Sequence, residues 1–210
     1  MSTVRPGRLV PRSPSMARLR RMNEVLARRV AATLAFIAGP RTLPQNWREI
    51  EYFDEIWHKR IQQMAAFIEP GSRVMDLGCG RMWLKDYLTN CNYIPVDYRE
   101  RGDDTIVCDF NRYEFPKCTA NYTFVSGCLE YIEDPGWFVE SVSNCSRTCI
   151  ISYCSKEHFA DQRQRAALGW RNSLSSDELI DLFNVHGMLL SVRTITDTRN
   201  SIFVFTRSAS

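Results

Sequence analysis

The sequence predicts an α/β domain: a doubly wound, seven-stranded, mostly parallel sheet with an antiparallel C-terminal hairpin and an N-terminal helical extension. Three observations carry this. Strand-like and helix-like patterns alternate between residues 47 and 187. The run Val74-Met75-Asp76-Leu77-Gly78-Cys79-Gly80 passes from apolar residues through an acid into two glycines, as a buried strand does when it turns sharply into a helix. Two strand patterns close the chain on either side of Asp197-Thr198-Arg199-Asn200.

In chain order, residues 1–15 hold three prolines and no apolar periodicity and read as a disordered tail. Leu19, Met22, Leu26, Val30, Thr33 and Ile37 share one face of a helix at about 16–37, closed by Gly39-Pro40. Ile50, Phe53, Trp57, Ile61, Met64 and Ile68 recur at helical spacing until Pro70-Gly71 stops the helix. Strands follow at about 72–77, 93–97, 105–108, 122–125 and 149–153, with Pro95 marking an irregularity in the second. Residues 81–89 suggest a helix. Asp134-Pro135 starts another, with Asp as N-cap and Pro in the first turn. A polar insert occupies 155–174. Ser175-x-x-Glu178 is a capping box for a helix ending near Gly187, and the hairpin strands lie at about 188–195 and 202–206.

The division this implies is a basic tail and helix at 1–41 and one domain at 42–210. Of 27 Lys and Arg, nine arginines fall in residues 1–41 beside a single acid, Glu24. The remainder carries 27 − 9 = 18 basic and 24 − 1 = 23 acidic residues. The folded body is mildly acidic, so a general nucleic-acid face on it is not indicated. Eight cysteines form no C-x-x-C pair, and only three histidines exist, so a metal site is not expected. Cysteines inside apolar runs point to a reducing, cytoplasmic setting. The apolar stretch Val30 to Ala38 is too short for a spanning helix. Nothing in the pattern specifies an oligomeric state.

Right-handed crossovers gather the strand ends at one sheet edge, where ligands bind at the point of strand-order reversal. Asp76, Gly78, Asp97, Asp109 and Gly127 all lie at expected strand ends. A nicotinamide fingerprint would need a third glycine where Trp83 stands, and an acid before the glycines repels a pyrophosphate. An acid suits a cationic cofactor.

On these residues the chain resembles the class I (Rossmann-like) S-adenosylmethionine-dependent methyltransferases. Asp76-Leu77-Gly78-Cys79-Gly80 is similar to the family's first motif. Asp97 matches its acid after strand two, and Cys108-Asp109-Phe110 its acid after strand three. Gly127-Cys128-Leu129-Glu130-Tyr131-Ile132 with Asp134-Pro135 resembles the motif after strand four. The match spans roughly residues 47 to 206. The resemblance implies that Gly78 and Gly80 pass along the methionine part of S-adenosyl-L-methionine and that Asp76 helps hold its ammonium. It implies that Asp97 accepts from both ribose hydroxyls, that Asp109 meets the adenine amino group with Phe110 lining the ring, and that Leu129 packs near adenine or sulfonium. Two features depart from the family: the third glycine often found near Met82, and the glycine-rich turn before strand five, here Asn144-Cys145-Ser146-Arg147. Read without the resemblance, Gly78 and Gly80 make a tight turn, Asp97 ends a strand, and Asp109 caps a turn with Asn111.

Methyl transfer is an in-line displacement in which the protein aligns the reactants and excludes water. A hydroxyl acceptor also needs a base, for which His158, Glu130 and Tyr131 are the candidates. The bland alternatives are a surface His158, a helix-capping Glu130 and a packing Tyr131; His58 and His186 read as structural. Arg163, Arg165 and Arg171 beside Trp170 suggest a small anionic or sugar-containing acceptor, although a solvated face explains them nearly as well. The other readings are a nucleic-acid methyltransferase using the Arg-rich N-terminus, a protein modifier, and an inactive cofactor-binding module. The nucleic-acid reading lacks the [DN]-P-P-[YFW] and Pro-Cys acceptor motifs.

Overall fold

The computed structural model describes Arg48, residues 53–196 and residues 200–207. The leader at 1–41, its helix at 16–37 and most of the hairpin turn at 197–200 lie outside the described residues. Within them, helix α1 (Trp57–Ala65) leads into β1 (Arg73–Leu77), β2 (Asn92–Asp97), β3 (Ile106–Val107) and β4 (Ala120–Ser126). Then come α2 (Pro135–Cys145), β5 (Ser146–Tyr153), α3 (Gln162–Ala167), α4 (Ser176–Val185), β6 (Met188–Ile195) and β7 (Ser201–Arg207).

The seven strands form one sheet in the order β3-β2-β1-β4-β5-β7-β6. The first five are parallel, and β7 runs antiparallel between β5 and β6. This is the expected doubly wound sheet with its closing hairpin. Strand order reverses between β1 and β4, so the crevice of the fold opens above their carboxyl ends.

Period-two alternation splits the core between the two faces. Val74, Phe124, Ile150 and Val204 pack with Ile61 and Met64 of α1. Their neighbours Met75, Val125, Ile151 and Phe203 pack with Phe138 and Val142 of α2 and Phe183 of α4. Each cap does what its residues dictate. The Asp134 side chain accepts from Trp137 N–H with Pro135 in the first turn, and Ser175 with Glu178 closes a full capping box.

Three segments depart from the sequence reading. The helix expected over 81–89 is a short 3₁₀ turn, Trp83–Tyr87, because Leu88 is extended and Asn90 takes φ 53°. Met82, near the place where the family often has a third glycine, adopts the left-handed conformation (φ 58°) although it is not a glycine. Pro95 sits inside β2 opposite Asp76. It is tolerated because β3 begins to pair only at Val96, leaving β2 an edge at that point. All eight cysteines are free thiols.

Candidate active site

The strand ends at the switch point surround a cleft of about 1030 Å³, open solvent at its mouth included. Asp76, Gly78, Gly80, Asp97, Asp109 and Phe110 line it, as do Ser126–Cys128 at the end of β4. Six of the seven residues predicted for the cofactor are thus brought together. Leu129, the seventh, is fully buried beneath the cleft in the α2 core, because its 3₁₀ turn (Leu129–Tyr131) points it inward; Cys128 and Ile132 line the wall instead.

The glycine turn is tight. Gly78 and Cys79 both donate backbone N–H to Val96 O, at 2.8 and 3.0 Å. At Gly78 (φ +79°) a Cβ would stand 2.7 Å from Cys128 Sγ, so only glycine fits. At Gly80 a Cβ would stand 2.6 Å from the Phe53 ring, which lies directly on the loop.

Asp97 is held by one of its two oxygens. Oδ2 accepts Gly80 N–H at 3.0 Å and pairs with Arg101 Nε at 3.3 Å. Oδ1 is buried and has no hydrogen-bond partner among the described residues. A buried carboxylate oxygen left unsatisfied at a ligand cleft marks a place where a donor is missing. Asp76 sits deeper and accepts Tyr93 O–H at 2.7 Å. Burial pushes its carboxyl up to about 7; the Tyr93 hydrogen bond opposes this rise and the nearby Asp97 charge adds to it. Asp109 caps the turn Phe110–Arg112, its Oδ1 accepting Asn111 N–H at 3.1 Å, while Oδ2 pairs with Arg48. The capping and cleft-lining readings of Asp109 both hold.

The three base candidates separate. Tyr131 lines the cleft. Burial pushes its phenol up to about 12, with Glu130 adding to the rise and a hydrogen bond with Trp170 opposing it. Near neutral pH it therefore keeps its proton. Glu130 is buried off the cleft, where its Oε1 accepts Cys154 N–H at 3.0 Å. His158 belongs to the insert and is not among the cleft residues.

The insert's arginines also lie away from the cleft. Arg165 is 2% exposed. Its Nη1 donates to Cys154 O and Phe159 O, its Nη2 to Tyr153 Oη and Asn172 O, and the guanidinium lies 4.7 Å over the Trp170 ring. It fastens the insert to β5. Arg165→Ala is expected to cost about 3 kcal/mol or more in a denaturant melt, because it strands buried acceptors. Arg171 reaches toward Glu133 at 3.8 Å on the surface.

Other arginines face the cleft and were missed. Arg60, Arg81 and Arg101 line it among Phe53, Trp57, Trp83 and Tyr98. Arg81 lies 5.2 Å over Phe53, and Arg101 lies 5.7 Å over the same ring. A signal existed for Arg60. It falls three residues after Trp57 and four before Met64, on the apolar stripe of its helix.

The sheet order, the antiparallel seventh strand and the cleft at the switch point define the fold of the class I methyltransferases. Solved structures agree. A magnesium protoporphyrin IX methyltransferase from Synechocystis with bound S-adenosylhomocysteine superposes with TM-score 0.59 at 15% identity, over 77% of this chain and 93% of that one. A calicheamicin biosynthesis methyltransferase, also with S-adenosylhomocysteine, gives 0.57 at 14%, over 73% of this chain. The present chain spans 54% of the length of that protein. An O-methyltransferase of neocarzinostatin biosynthesis, with S-adenosylmethionine and 2-hydroxy-5-methyl naphthoic acid, gives 0.57 at 12%, over 73% and 56% of the two chains. No protein-family model and no curated protein sequence matches the chain.

Proposed function

We propose that the chain is an S-adenosylmethionine-dependent methyltransferase that acts on an oxygen or nitrogen of a small anionic acceptor. The observation that carries this reading is the orphaned, buried Asp97 Oδ1 beside the Gly78–Gly80 turn. Its missing donor is a ribose hydroxyl. A nucleoside so placed lays its base toward Asp109 and Phe110 and its amino-acid end along Gly78 and Gly80, with the ammonium toward Asp76. The cofactor's own contribution is a methyl carbon activated by positive sulfur.

The residues of this chain align and enclose. Asp76, losing its proton near pH 7, supplies a negative charge at the point where a cation settles. Phe53, Trp57 and Trp83 wall the cleft against water, which strengthens every charge interaction inside. Tyr131, protonated, orients the acceptor by hydrogen bonding. Arg81 and its aromatic neighbours suit a flat, anionic acceptor. The naphthoic acid bound to one structural neighbour is of that kind.

Two measurements test the proposal. Calorimetry on the full-length chain is expected to show 1:1 binding of S-adenosylmethionine and S-adenosylhomocysteine. Incubation with methyl-labelled cofactor and a panel of small carboxylates, phosphates and sugars is expected to label an anionic member. Cofactor binding with labelling of RNA or protein alone would overturn the acceptor assignment.

A further inference from the structure

Among the described residues, each titratable group that lines the cleft is either protonated or engaged. Tyr131 Oη accepts a hydrogen bond from Trp170, because an indole can only donate, and burial keeps the phenol protonated near neutral pH. Cys79 and Cys128 line the cleft as well, and burial raises both thiols, with the nearby acids adding to the rise. Asp97 holds Gly80 N–H and Arg101. Asp109 holds Asn111 N–H and pairs with Arg48 and Arg112. Asp76 accepts the Tyr93 hydroxyl, and in the functional reading above it also faces an ammonium. An acceptor that must shed a proton therefore meets no base here. A neutral hydroxyl stays a weak nucleophile, and an ammonium has no lone pair to offer. A carboxylate is already ionised near neutral pH and needs no base.

The same cleft carries a guanidinium suited to an anion. Arg81 is exposed and lines the cleft, 5.2 Å over the Phe53 ring and 5.9 Å over the Trp83 ring. Stacking of this kind uses the faces of a guanidinium and leaves its N–H edge for an acceptor. No carboxylate pairs with Arg81 among the described residues. Phe53, Trp57 and Trp83 form the apolar wall beside it. A carboxylate that moves from Arg81 along this wall sheds water. Desolvation makes an anion a stronger nucleophile toward a cationic centre, because the opposite charges cancel as the bond forms.

We propose that the group methylated in this cleft is itself a carboxylate, so that the product is a methyl ester, and that Arg81 is the side chain that selects the acid. The proposal rests on the functional reading above and narrows it, because the methylated atom and the anion become one group. One carboxylate oxygen supplies the electron pair of the new C–O bond. The C–S bond breaks, and its pair stays on sulfur. The acid becomes an uncharged ester, the sulfonium an uncharged thioether, and no proton moves. The ester lacks the charge that Arg81 attracts, so the product is held less tightly than the acid.

The test has a binding arm and a product arm, both on the full chain. Calorimetry on the S-adenosylhomocysteine complex compares benzoate with benzamide, its uncharged isostere. Wild type is expected to bind benzoate on the order of tenfold more tightly, and Arg81→Gln to bind the two alike. In the product arm the chain is incubated with methyl-labelled S-adenosylmethionine and the deproteinised small-molecule extract of the cells that make it. The products are then treated with mild alkali. Methyl esters release their label as volatile methanol, whereas ethers and methylamines keep it. Alkali-labile label is the expected result. Equal binding of benzoate and benzamide by wild type overturns the proposal. So does a preference for benzoate that survives in Arg81→Gln, and so does bound cofactor without alkali-labile label. A chain that fails to bind S-adenosylhomocysteine in the same calorimeter removes the functional reading itself, and the proposal falls with it.

Discussion

Asp97→Ala should weaken S-adenosylhomocysteine binding on the order of 100-fold, or about 2.7 kcal/mol, read by calorimetry. The size follows from the geometry. Asp97 Oδ1 is buried and has no partner among the described residues, so it offers a charged acceptor already stripped of water. Each hydrogen bond to such a group is worth about 1.5–3 kcal/mol. The carboxylate also anchors Gly80 N–H and pairs with Arg101, so alanine loosens the glycine turn and removes one contact of that guanidinium. Asp97→Asn separates these effects. Its amide oxygen can still accept from Gly80, but it has no charge, and its weakening of binding should lie between wild type and alanine. A loss of thermal stability with binding intact would make Asp97 a purely structural strand end.

The second large effect is on pH. Asp76 is pushed up to about 7 chiefly by burial. A ligand that brings an ammonium to this carboxyl requires the ionised form. Affinity for S-adenosylhomocysteine is therefore expected to fall about tenfold for each pH unit below 7 and to level off above about 8. Tyr93→Phe removes the hydrogen bond that favours the ionised form, so the inflection should move to higher pH. The stability of the free protein runs the other way. A carboxyl whose folded pKa is raised holds its proton in the native state while the unfolded chain has released it. This group's contribution to stability therefore declines as pH rises from about 4 to about 7, and the cost stays in full above that. A pH-independent affinity between 6 and 8 would show that no ligand cation meets Asp76.

The sheet was legible because its signals are strong and redundant. Apolar runs ending in Asp76, Asp97 and Asp109 alternate with helical patterns, and right-handed crossovers leave one edge where these acids can meet. The alternation of Val74 with Met75, and of Phe124 with Val125, carries no such signal, because both faces of a parallel sheet are buried and the sequence there is uniformly apolar. The turn after β1 was legible at Gly78 and Gly80. That Met82 adopts the left-handed conformation was not, since it is imposed by the loop against the residue's own preference.

The cleft wall was harder to read. Sequence places Arg163, Arg165 and Arg171 near Trp170 but does not say which way each faces. Arg165 turns inward to tie Cys154, Phe159 and Asn172, whereas Arg60 and Arg81 line the cleft. Phe53 and Trp57 fit a core stripe by spacing, yet they line the cleft, because α1 begins only at Trp57 and its N-terminal end overhangs the glycine turn. Leu129 and Glu130 look alike with Tyr131 in a motif, and only the 3₁₀ turn shows that Tyr131 alone of the three faces outward to the cleft. One-residue differences of this kind depend on turn geometry, which spacing does not encode.

A crystal structure of the full chain with S-adenosylhomocysteine tests the central claim most directly. The account predicts the ribose hydroxyls within hydrogen-bond distance of Asp97 Oδ1, with the amino-acid end along Gly78 and Gly80. A nucleoside bound elsewhere, or an Asp97 Oδ1 still without a partner in the complex, would contradict it.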